Sequence, residues 1–143
     1  MIGIIIVSHG GFAEGLIDAA AMLYGVEQCF ALKLDPADSP EDFDERLRKL
    51  LDEADTGDGV FVLADLMGGT PCNRALLLLC EQIPQGKKLR LLAGANLPML
   101  ISLMDNRQTA SSFDELADVV IGETADCVLD VNKIIKKEGL IND

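Results

Sequence analysis

Residues 3–11 read Gly3-Ile4-Ile5-Ile6-Val7-Ser8-His9-Gly10-Gly11. The four β-branched residues at 4–7 carry no polar alternation. A strand with water on one face alternates apolar and polar side chains; a strand buried on both faces, inside a parallel sheet, does not. The run stops at Ser8-His9 and two glycines, and apolar residues at helical spacing follow at once. His9, the only histidine in the chain, is therefore expected at the C-terminal end of an inner strand. In open α/β sheets that edge is where ligands bind.

Outward from this strand, strand and helix patterns alternate. Apolar residues at 12, 13, 16, 17, 20, 23 and 24 predict a helix over 12–24 with Gly25 as its stop. Residues 29–34 read as a second strand. Ser39-Pro40 opens a helix to about residue 54: Ser39 is the expected cap, Pro40 suits the first helical position, and Glu41, Asp42 and Asp44 suit the positive end of the helix dipole. A third buried strand is expected at 60–64, ending in Asp65, and Leu66-Met67-Gly68-Gly69-Thr70-Pro71-Cys72-Asn73 opens a helix over 71–83. A fourth strand at 89–93 leads through Gly94-Ala95-Asn96-Leu97-Pro98 to a helix ending before Asn106. Ser112-Phe113-Asp114-Glu115 has the form of a capping box, which predicts a helix over 113–123, and 127–131 reads as a short last strand.

This alternation predicts an α/β fold: a three-layer sandwich, with a mainly parallel sheet and helices on both faces, in one domain over residues 1–143. Right-handed crossovers favour the strand order 2-1-3-4. The first strand is then central, and His9 and Asp65 border the crevice at the switch point.

Composition narrows the partners. Twelve basic against 24 acidic side chains give a formal charge of −12. Such a surface repels nucleic-acid backbones and anionic lipid, and favours a protein partner with a basic face. The four cysteines, Cys29, Cys72, Cys80 and Cys127, form no Cys-x-x-Cys pair. They read as reduced core residues of a cytosolic protein. The first residues lack a basic region and no apolar stretch reaches about 18 residues, so neither an export signal nor a membrane span is expected.

A neutral imidazole offers one nitrogen as nucleophile and one N–H as donor, and a carboxylate on that N–H fixes the tautomer and stabilises positive charge on the ring. His9 and Asp65 could form such a pair; the alternative is a histidine that binds backbone at a strand end. Gly68-Gly69-Thr70-Pro71 before a helix could receive a phosphate on backbone N–H groups and the Thr70 hydroxyl, or could be a plain turn with Thr70 as cap. Gly10-Gly11 and Asn96-Leu97-Pro98-Met99 carry the same two readings. With one histidine and no spaced cysteines, a metal site has too few good ligands. Ser8 and Thr70 lack a second histidine as base, and Asp65 with Asp35 lacks sugar-stacking aromatics in a chain without tryptophan. A phosphoryl-accepting histidine needs only a free nitrogen, an orienting carboxylate and donors for the phosphoryl oxygens, and no cofactor.

Three stretches resemble the mannose-type IIA component of the bacterial phosphoenolpyruvate-dependent sugar phosphotransferase system: Ser8-His9-Gly10, the run from Asp65 to Asn73, and Gly94-Ala95-Asn96-Leu97-Pro98-Met99. Ser112-Phe113-Asp114-Glu115-Leu116 is similar to the late helix of that family. The resemblance implies a cytoplasmic carrier. His9 would take a phosphoryl group on Nε2 from the histidine-containing phosphocarrier protein and pass it to a IIB component, with Asp65 orienting the ring through Nδ1. Gly68, Gly69 and Thr70 would donate to the phosphoryl oxygens; Gly10, Met22, Met67 and Asn96 would form the pocket rim or the partner contact. The resemblance also implies a homodimer in which the strand at 127–131 crosses to the partner's sheet, a separate IIB chain, and membrane contact only through the transporter complex. Met67, Thr70 and Cys72 depart from the Trp, Ser and Phe of a better-known member, which bears on partner contacts more than on chemistry. Service to a dihydroxyacetone kinase, or a regulatory module that senses phosphorylation, are the alternative roles.

Overall fold

A computed structural model of the chain describes residues 1–142. Four strands, β1 (Gly3–His9), β2 (Cys29–Leu34), β3 (Val60–Ala64) and β4 (Leu89–Ala93), form one parallel sheet in the order β2-β1-β3-β4. The helices are α1 (Phe12–Ala21), α2 (Pro40–Ala54), α3 (Thr70–Gln82), α4 (Leu97–Asn106), α5 (Phe113–Thr124) and α6 (Val131–Lys137). Order and layering agree with the expectation from the sequence.

The continuous apolar runs have the burial that their composition calls for. Ile4 and Ile6 of β1, with Phe61 and Leu63 of β3, face a core shared with α1, α4 and α5. Ile5 and Val7, with Val60 and Val62, face a second core shared with α2 and α3. Adjacent residues of one strand thus serve opposite layers, so no polar residue fits between them. Gly3 opens β1 because a Cβ there would lie 2.4 Å from the Ala54 carbonyl oxygen at the end of α2.

Capping residues mark most helix starts. The side chain of Ser39 accepts from the Asp42 N–H, Asn96 from Met99 and Ser112 from Glu115. The Glu115 carboxylate reaches back to Ser111, one residue beyond the cap. Among the described residues, no helix is long and apolar enough to cross a membrane.

Four expectations need correction. Helix α1 ends at Ala21, not 24: Met22, Leu23 and Tyr24 fold into a turn on the Ala19 and Ala20 carbonyls, because the core ends there and all three side chains are exposed. Residues 127–130 pair with no strand in this chain, and Val131 begins α6 behind the cap Asp130. An apolar β-prone segment forms a strand only where a ladder partner is available, and among the described residues none pairs with it. Thr70 does not cap α3; Gly69 occupies that position and Thr70 is the first helical residue. All four cysteines are free, but only Cys72 is buried, and Cys80 is exposed on α3.

Candidate functional site

The register brings the site together. Val7 pairs with Ala64, so Asp65 leaves β3 beside the last residues of β1, and its N–H donates to the Val7 carbonyl (3.2 Å). The Asp65 side chain turns toward His9. Its Oδ2 accepts from the His9 backbone N–H (2.9 Å) and lies 2.8 Å from His9 Nδ1. A carboxylate oxygen can only accept, so this contact assigns the proton to Nδ1 and leaves the lone pair on Nε2. Oδ1 of Asp65 is buried without a protein partner, which concentrates the carboxylate's contacts on Oδ2. The imidazole is half exposed, at 50% of its side-chain surface, and open to a partner.

Gly69 closes the other side of the ring. A Cβ on Gly69 would stand 2.7 Å from His9 Cε1 and 3.5 Å from Nε2. Residues 66–69 form a turn closed by the Gly69 N–H on the Leu66 carbonyl (3.1 Å), with Gly68 at φ +82°. That conformation belongs to glycine at the third position of a type II turn. The Gly69 N–H is thus already paired within the turn. Among the described residues, the N–H of Gly68, the N–H and hydroxyl of Thr70, and the N–H of Cys72 have no protein partner at this helix N-terminus, where the dipole favours an anion.

Two residues that the sequence reading gave no structural role hold the loops around His9. Ser8 is fully buried; its hydroxyl accepts from the Ala13 N–H (2.8 Å) and donates to the Gly10 carbonyl (3.3 Å), tying β1 to the start of α1. Asn73 donates from Nδ2 to the Gly68 carbonyl (3.1 Å), and its N–H takes the Gly69 carbonyl (2.9 Å). The Ser8 hydroxyl sits four residues before Phe12, the first residue of the helix it serves, a spacing outside the usual cap patterns. Asn73 lies in the run that carried the resemblance but had no role assigned.

The remaining expected residues are dispersed. Gly10 continues the strand edge with φ +51° and donates to the Leu34 carbonyl. Met67, 74% exposed, and Leu66 stand on the rim beside the turn. Asn96 caps α4 with its Oδ1 and donates to the Gly94 carbonyl with its amide, so both ends of its side chain are engaged locally. Met22 is not with His9. Helix α1 leaves the His9 edge and runs back along the sheet, about 15 Å for ten residues. Tyr24 binds Asp105 at the end of α4 there, at the opposite edge.

A groove of about 550 Å³ lies elsewhere, along the open edge of β4. Leu79, Ile83, Leu89 and Phe113 line it, with Lys87, Lys88 and Arg90 beside them.

The chain is 32% identical over 121 residues to the PTS system mannose-specific EIIAB component of Escherichia coli, covering 84% of this chain and 36% of that protein. It therefore spans about a third of that relative's length. It is also 32% identical over 114 residues to the PTS system sorbose-specific EIIA component of Klebsiella pneumoniae, covering 80% of this chain and 81% of that one. Among solved structures, phosphotransferase system component EIIA from Streptococcus agalactiae matches with a TM-score of 0.84 at 30% identity, over 93% of this chain and 99% of that chain. The mannose/sorbose specific IIA subunit from Enterococcus faecalis matches with a TM-score of 0.74 at 29% identity, over 90% and 93% of the two chains. The family model described as PTS system fructose IIA component matches residues 3–121, from the first residue of β1 into α5, and the chain belongs to that family, EIIA-man.

Proposed function

We propose that His9 is a phosphoryl carrier: it accepts the group from the histidine-containing phosphocarrier protein and passes it to a IIB component. One observation carries the reading, the 2.8 Å contact of His9 Nδ1 with Asp65 Oδ2 that leaves Nε2 bare beside the turn at Gly68-Gly69. The step is an in-line displacement at phosphorus. The Nε2 lone pair forms a new N–P bond as the donor's N–P bond breaks, and that electron pair returns to the donor ring. A donor ring protonated on its other nitrogen leaves as neutral imidazole. His9 becomes a phosphoimidazolium that keeps its Nδ1–H on Asp65, and the carboxylate balances the ring's charge. The same type of bond is made and broken, so the transfer is near balance and reversible.

Catalysis here is positioning and charge stabilisation. The N–H groups of Gly68, Thr70 and Cys72 and the Thr70 hydroxyl receive the phosphoryl oxygens; Gly69 contributes by having no side chain. The formal charge of −12 speeds encounter with a basic phosphocarrier. The reading implies a cytoplasmic chain that meets the membrane only through its transporter partners.

A homodimer belongs to the same proposal. Val128 is 94% exposed and Leu129 and Val131 are also exposed, an arrangement that favours cover by a second chain. The open β4 edge and the groove beside it are the complementary place for residues 127–131 of a second copy.

The test of the carrier role is phosphorylation by phosphoenolpyruvate, enzyme I and the phosphocarrier, read by mass spectrometry. The wild-type chain gains one acid-labile phosphate and His9→Ala gains none. A phosphate retained by His9→Ala, or none on the wild type, rejects the assignment.

A further inference from the structure

We propose that Asn73 is a positioning residue for phosphoryl transfer at His9, acting through the carbonyl of Gly68; this rests on the carrier reading above. The imidazole faces the α-carbon of Gly69, where a Cβ would lie 2.7 Å from His9 Cε1, and the peptide between Gly68 and Gly69 leads directly into that contact. Neither of its residues has a Cβ, so its plane is intrinsically soft. Two hydrogen bonds hold it. Its N–H is tied to the Leu66 carbonyl (3.1 Å), and its C=O is tied to Asn73 Nδ2 (3.1 Å).

If this peptide turned, the Gly68 oxygen would be free to swing toward the phosphoryl oxygens, where like partial charges repel. The ring would lose its stop as well. The N–H of Asn73 also takes the Gly69 carbonyl (2.9 Å), so one residue of α3 secures both carbonyls of the turn. The start of α3, and with it the aim of the Thr70 and Cys72 N–H groups, follows from that clamp. The Ser8 hydroxyl likewise donates to the carbonyl of Gly10, the left-handed glycine that follows His9 in the chain.

Asn73 is exposed, and without it the Gly68 carbonyl is free to bind water. No buried group is orphaned by its removal, so its loss should spare the fold and reach the chemistry alone.

The test compares Asn73→Ala and Asn73→Asp with the full-length wild type, using phosphorylated phosphocarrier as donor. Asp keeps the size of Asn but sets an acceptor against the Gly68 oxygen. The kcat of His9 phosphorylation should fall about tenfold in the Ala variant and further in the Asp variant, short of the roughly hundredfold loss for a 1 Å misplacement. The KM for the donor protein, the melting midpoint and the Nδ1–H tautomer seen by 15N NMR should stay at wild-type values. Rates within about twofold of wild type overturn the inference, as does a rise in KM at constant kcat, which would make Asn73 a docking contact. A loss of rate that follows a loss of melting point assigns a structural role and overturns it too. A wild-type chain that takes no phosphate fails the carrier reading itself, before any variant is compared.

Discussion

At the scale of single residues, the site turns on what stands against the imidazole. Gly69 has no side chain where a methyl group would sit 2.7 Å from His9 Cε1, well inside contact distance. Gly69→Ala therefore has to move either the ring or the turn. The ring is anchored at Nδ1 by Asp65 and the turn by Leu66 and Asn73, so the strain falls on the alignment of Nε2. Residue 69 itself has φ −73°, which alanine adopts freely, so the backbone tolerates the change. The expected result is a folded protein whose phosphorylation rate falls by about a hundredfold. Stopped-flow transfer from the phosphocarrier together with circular dichroism would check it; an unchanged rate would mean that the ring does not need this position.

At the scale of elements, Ser8 joins a strand to the helix that follows. It is fully buried and the Ala13 N–H depends on it, so Ser8→Ala leaves a buried donor unsatisfied at the first turn of α1. That should cost about 1–3 kcal/mol, visible as a lower midpoint in urea with an unchanged slope. A midpoint equal to wild type would show that water replaces the hydroxyl. The same scale shows what could be read from the sequence. Strand β1, the Ser39 and Ser112 caps and the order β2-β1-β3-β4 were legible because each follows from local chemistry: unbroken β-branching, a cap next to an apolar run, alternating elements. His9 and Asp65 were legible as a pair because strand order alone sets their loops side by side. The end of α1 was not, since Leu23 and Tyr24 keep the helical period after the core has ended. Arg107 was not either. It is buried, and its guanidinium donates to the carbonyls of Ile2 and Glu27 (3.1 and 2.6 Å), partners far away in sequence. Met22 was misplaced because a resemblance gives a residue a role without giving its distance from His9.

At the scale of the molecule, the sheet is well covered on its faces and open at its β2 and β4 edges, the latter beside the groove, and the C-terminal segment is the converse. Val128, Leu129, Val131, Ile134 and Leu140 are exposed on a stretch in which no residue of α6 is buried. Exposed apolar side chains close together in sequence mark an interaction site. An edge strand with unpaired backbone groups invites a strand from another chain. Lys88 borders the groove, where Lys87 and Arg90 are paired with Asp52, Asp55 and Asp114, while Asp126 and Asp130 flank the apolar residues. A ladder between 127–131 of one copy and β4 of the other would satisfy both surfaces, and two-fold symmetry would use each pair twice. Removing residues 126–143 should therefore convert a dimer to a monomer in multi-angle light scattering, with the His9 site of each monomer intact. Val128→Asp should shift the same equilibrium in the full chain by setting a charge into the apolar contact. A full-length chain that runs as a monomer at micromolar concentration, or a truncated one that stays dimeric, would place the interface elsewhere.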